Sequence, residues 1–171
     1  MKNHITTTFA VLCATAISFT AARGEEDDKP VKFGDLPAAV AKAIKAAAGE
    51  AKLKTLVLGD EDGTPAYEAV WHARGHQQEI AVAKDGSVLG REEIITREEA
   101  PEIIRAAISK EAGSSKVLEV EKVLEKGKTF FEATIQKGKG KVAVRFDAKG
   151  KVIERENPDA EKEEEAGKRK K

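Results

Sequence analysis

His72, His76 and Glu79 are the residues whose types and spacing come nearest to chemistry in this chain. Two imidazoles and a carboxylate can hold a metal or pass a proton, and a hairpin through this segment would make His72 and Glu79 cross-strand neighbours. A metal site needs three or four converging ligands, however, and in a related stretch further along the chain Gln136, Gly140 and Lys141 stand in their places. The set is therefore read as two surface histidines near a turn, with no metal and no cofactor. Elsewhere the sequence carries no recognisable nucleophile motif and no phosphate-cradling glycine loop. Carboxylates are abundant because 35% of the residues are charged, and their ordinary role is a solvated surface. Nothing here equips an enzyme.

The same segment offers a second kind of site. Along Tyr67 to Arg74, Tyr67, Ala69 and Trp71 point one way and Glu68, Val70, His72 and Arg74 the other. Tyr67 and Trp71 have Phe131 and Ile135 as counterparts later in the chain, so their side of the strand is read as core. The opposite, mixed row of Glu68, Val70, His72 and Arg74 is the candidate partner-binding face.

What positions this row is a helix followed by strands, met twice. LPAAVAKAIKAAAG, Leu36 to Gly49, returns 64 residues later as APEIIRAAISKEAG, Ala100 to Gly113. The correspondence continues through Gly63 and Gly127, YEA at 67–69 and FEA at 131–133, and Val88, Arg91, Glu92 against Val152, Arg155, Glu156. A fixed period of this kind indicates duplication of one structural unit. Val40, Ile44 and Ala47 form an apolar stripe at helical spacing, with proline near the first turn and glycine after the last. Asp35 is expected to cap the first helix, and Thr96 with Glu99 to form a capping box for the second. Strand signals follow at Leu53–Leu58 and Val117–Leu124, in the central hairpin, and beyond Asp85-Gly86 and Asp147–Gly150. A turn at Gly75-His76 sets Trp71 opposite Ile80; a turn at Gly138-Lys139 sets Ile135 opposite Val142.

These signals predict an α+β protein of two tandem repeats, each one helix packed on an antiparallel sheet of about four strands. The boundaries expected are a signal peptide at 1–22, a linker at 23–30, repeats at 31–95 and 96–156, and a disordered charged tail at 157–171. The signal peptide rests on Lys2, the apolar run Phe9 to Phe19, and the small residues before the charged stretch. That run is about half the ~20 residues that a membrane-spanning helix needs, so no stable membrane insertion is expected. The lone cysteine, Cys13, lies inside it, which leaves the mature chain no disulfide and no thiol nucleophile. With 30 basic and 30 acidic residues there is no global field to attract nucleic acid.

The order xLPxAVxxAI, glycine turn, aromatic-Glu-Ala strand and closing DG-x-V strand resembles the PepSY-like family and its beta-lactamase-inhibitor-like members of bacterial envelopes; the resemblance covers Val31 to Glu156 as two copies, and the second departs from it in the length of its Asp147 to Gly150 turn. That resemblance implies a helix on an antiparallel sheet, a periplasmic or secreted location, and non-catalytic binding or inhibition directed at an envelope or secreted protein such as a peptidase or other hydrolase. The alternative is a protein that binds a small ligand or metal in the cleft between its repeats.

Overall fold

In the computed structural model, residues 28–61 and 64–157 are described. Nine strands follow one another: β1 (Lys29–Pro30), β2 (Leu53–Glu61), β3 (Thr64–Ala73), β4 (His76–Ala83), β5 (Val88–Ile95), β6 (Val117–Glu125), β7 (Lys128–Lys137), β8 (Gly140–Asp147) and β9 (Val152–Glu156). Helix α1 (Ala38–Ala48) lies between β1 and β2, and α2 (Glu102–Ala112) between β5 and β6. All nine strands form a single antiparallel sheet in sequence order.

This overturns the expected fold class. The chain does not form two tandem repeats each with its own four-stranded sheet, because β5 pairs with β6 from Gly90↔Glu125 to Ile95↔Val120. Two separate sheets would have left a row of unpaired backbone donors and acceptors on each of these strands, and their pairing removes both edges. An extra strand also falls in the segment expected as linker, where Lys29 and Pro30 pair with Leu58 and Val57.

Both helices lie on the same side of the sheet, α1 against β3 and β4 and α2 against β7 and β8. Val40 and Ile44 pack on Ala69, Trp71, Ile80 and Val82. Ile104, Ile108 and Ala112 pack on Phe131, Ala133, Ile135, Val144 and Phe146. The strands alternate, so these apolar side chains all leave from one face. The turn after β4 leans on α1: a Cβ built on Gly86, whose φ is +90°, would sit 2.8 Å from Ala39 Cβ.

The helix starts differ from those expected. Asp35 ends a short 3-10 turn (Phe33–Asp35), and the residue before α1 is Pro37, with no side-chain cap. The Thr96–Glu99 capping box is present, but it closes the 3-10 turn Arg97–Glu99, and α2 begins three residues later, after Pro101. Proline fixes its own φ and drives the residue before it to extended backbone, which separates each 3-10 turn from its helix. The expected β7–β8 register is found, with Ile135 opposite Val142 and Ala133 opposite Val144. In the earlier hairpin the turn is Arg74-Gly75, so Trp71 faces Gln78 and Ala69 faces Ile80. Both turn residues have positive φ, 55° at Arg74 and 86° at Gly75, as a hairpin turn matched to strand twist requires. The displacement is an even number of positions, so the same side chains still face the helix. The expected signal peptide and all but the first residue of the expected tail lie outside the described residues.

Candidate functional site: the helix-free face of the sheet

The partner row proposed from sequence divides in two. Glu68 and Val70 lie on the face without helices and are only 1% and 2% exposed. His72 and Arg74 are exposed at the end of β3, where an Arg74 guanidinium nitrogen lies 3.5 Å from Glu93 Oε1. Cross-strand pairing puts Gln77, not Glu79, opposite His72. His76 bonds instead to Glu99, Nε2 to Oε1 at 3.1 Å. The three residues that first suggested a metal are therefore not drawn together, and among the described residues no three or more His, Cys, Asp or Glu side chains are placed so that they could hold a metal ion.

What the topology gathers on this face is a carboxylate array that the sequence reading passed over. Glu79 stands directly opposite Glu92 across β4 and β5, and Glu121 directly opposite Glu132 across β6 and β7. Ile94, two residues along from Glu92 and so on the same face, is opposite Glu121. Glu119 completes the group, opposite Thr134. Like charges placed opposite one another in a sheet are destabilising by several tenths of a kcal/mol, roughly 0.2–1 per pair, so two such pairs side by side work against folding.

Glu121 bears the largest consequence. It is 3% exposed, and Oε1 has no hydrogen-bond partner. Burial first, then the charges of Glu92, Glu132, Glu119 and Glu79, hold its carboxyl well above the ordinary range. Glu119, hydrogen-bonded to Glu121, is also raised, mainly by burial and against the pull of Lys141. The cation nearest in register is Arg145, opposite Glu132. Its guanidinium is held elsewhere at one end: Nη2 donates to Glu125 Oε2 at 2.6 Å and the group lies 4.6 Å over the Phe130 ring, while its buried Nε has no hydrogen-bond partner. Burial raises the Glu125 carboxyl, but the bond and charge of Arg145 together with those of Lys126 outweigh this and lower it.

Other surface features are less developed. A groove of about 290 Å³ lies at the C-terminal end of α1, lined in part by Phe33, Ile44, Ala48 and Leu53. It belongs to the helix side and is not a cleft between the two halves. Among the described residues no helix is long and apolar enough to cross a membrane.

The arrangement of one long meander sheet with two helices on one face recurs in solved structures. A Bacteroides fragilis protein described as BLIP-like shows it at a TM-score of 0.57 and 20% identity, over 70% of this chain and 84% of that one. The fold is BLIP-like. The same fold occurs in a Bacteroides eggerthii protein described as periplasmic (TM-score 0.61, 18% identity, 71% of this chain and 88% of that one). A DUF2874 family protein from Bacteroides uniformis is equally similar (0.60, 18%, 71% and 88%). No family model and no curated protein matches this chain by sequence.

Proposed function

We propose that this chain is an exported, non-catalytic binding protein of PepSY-like type that docks a hydrolase or another envelope protein through the helix-free face of its sheet and inhibits or regulates it. The observation that carries this reading is that face itself: a broad strand surface without helices, bearing concentrated charge and no catalytic constellation. Support for its location comes from the export signal read in residues 1–22 and from the structural neighbour described as periplasmic. The BLIP-like neighbour supports inhibition as the mode of action. In this reading His72 and Arg74 contact the partner at the rim, while Glu68 and Val70 shape the floor beside them.

The test is to titrate the purified chain into periplasmic extract labelled with activity-based hydrolase probes. Labelling of one enzyme should fall stoichiometrically, and the fall should weaken with His72→Ala and Arg74→Ala. Unchanged labelling at a large excess of the chain sinks the reading.

A further inference from the structure

The carboxylate array specifies more than a docking face. Five acidic side chains, Glu79, Glu92, Glu119, Glu121 and Glu132, come from four adjacent strands onto one face, in two directly opposed pairs. A sheet gains nothing from this crowding, and the strands could carry alternating signs at the same register without any change of fold. Glu79, Glu92 and Glu132 each make interactions of their own. At the centre, though, Glu121 Oε1 is buried and receives no donor. A buried carboxyl oxygen lacking a donor is costly to ionise, and a charged hydrogen-bond donor brought to it favours the ionised form. Arg145 cannot swing across without giving up Glu125 and its seat over Phe130.

The chemistry that fits is a planar cation with several N–H groups. A guanidinium can donate to carboxylates on two strands at once, which a point charge on an ammonium cannot match, and its weak hydration suits a site already shielded from water. We infer that the array on the helix-free face is a recognition site for an arginine side chain of a partner protein. This rests on the docking reading above and names what the partner must present: a basic segment with at least one projecting arginine.

The test uses the full-length mature chain and a fluorescein-labelled hexa-arginine peptide, with hexa-citrulline as a neutral near-isostere, by anisotropy at low salt. The chain binds hexa-arginine and not hexa-citrulline. Glu121→Gln and Glu92→Gln each weaken binding by about tenfold, the loss of one charge-assisted hydrogen bond. Far-UV circular dichroism checks that both variants fold. Amide shift mapping on the unmodified chain provides a route independent of mutation, with perturbations expected on β4 to β7. Equal affinity for both peptides overturns the inference. So does binding that is lost on deleting residues 158–171 and is indifferent to both glutamine changes, which would assign the peptide to the acidic run at 161–165. A thermal shift given by Mg²⁺ alone and abolished by Glu121→Gln also overturns it, in favour of a metal site. Two results separate this inference from the docking reading. Enzyme inhibition that survives Glu92→Gln and Glu121→Gln leaves docking standing and removes the arginine site. Peptide binding that depends on both glutamates, with no enzyme inhibited, does the reverse.

Discussion

Replacing Glu121 with glutamine should make the protein more stable at neutral pH while making it a poorer binder. Glu121 takes up a proton more readily in the folded chain than in the unfolded one, because burial and the charges of Glu92, Glu132, Glu119 and Glu79 all oppose its ionisation. Folding therefore binds a proton, and stability must fall as pH rises. The fall begins near the ordinary value of 4.5 and continues until the folded carboxyl itself ionises. Within that window the slope for one group is up to about 1.4 kcal/mol per pH unit. Glutamine keeps the shape and cannot titrate, so wild type and variant should agree at pH 4 and diverge upward from there. The gap should widen in favour of the variant as pH rises and level off once the folded carboxyl ionises. Urea unfolding of both proteins at half-unit pH intervals gives the difference directly, provided the m values stay equal. Parallel curves from pH 4 to pH 8 would refute the reasoning, since they would mean that Glu121 ionises as easily in the folded chain as in the unfolded one.

Ile44→Ala and Ile108→Ala each empty a fully buried site under a helix and should cost about 2–5 kcal/mol, whereas Ile103→Ala, at a residue 53% exposed, should stay within about 0.5 kcal/mol by the same urea measurement. Gly86→Ala and Gly75→Ala both place a side chain in left-handed backbone, a penalty of about 1–2 kcal/mol, but only Gly86 has Ala39 against it. Gly86→Ala should therefore melt lower than Gly75→Ala, and equal melting temperatures would contradict the contact with α1. Arg145→Met keeps the packing on Phe130 and removes the bond to Glu125, for an expected loss of about 1–3 kcal/mol, discounted because Glu125 is partly exposed. Chemical denaturation at pH 7 checks this, and the loss should shrink as acid protonates Glu125.

The sequence made the local elements legible because each carries its own period. The stripe of Val40 and Ile44, the glycines after each helix, and the alternation of Tyr67, Ala69 and Trp71 all state locally which side is buried. The β7–β8 register could be read because Gly138-Lys139 is a glycine-led turn, and Gly138 does adopt positive φ. In β3–β4 the left-handed position falls on Arg74, a residue that rarely accepts it, and a reader looking for glycine places the turn one residue late. Prolines at 37 and 101 misled in a similar way, since the caps at Asp35 and Thr96 belong to 3-10 turns that the prolines cut off from the helices. The union into a single sheet was illegible for a different reason. A strand shows which of its faces is apolar, but not whether its edge meets a partner 30 residues away. The burial of Glu68 and Val70 was out of reach on the same account: alternation assigns their face and says nothing of how crowded it is.

The same join creates the site. Glu79 and Glu92 come from the half of the chain before α2, and Glu119, Glu121 and Glu132 from the half after it; only the β5–β6 ladder brings them together. Either half alone would hold only two or three of the five carboxylates. Register decides the outcome, because sliding β5 by one residue against its neighbours would turn Glu92 and Ile94 to the helix side and bring Arg91 and Glu93 to the acidic face. The observed register keeps Arg91 opposite Ile80 and Leu124, away from the array it could have neutralised. A guanidinium close at hand is thus held on the wrong face by the alternation that builds the core. What remains at the centre is Glu121 Oε1, which receives no donor from this chain.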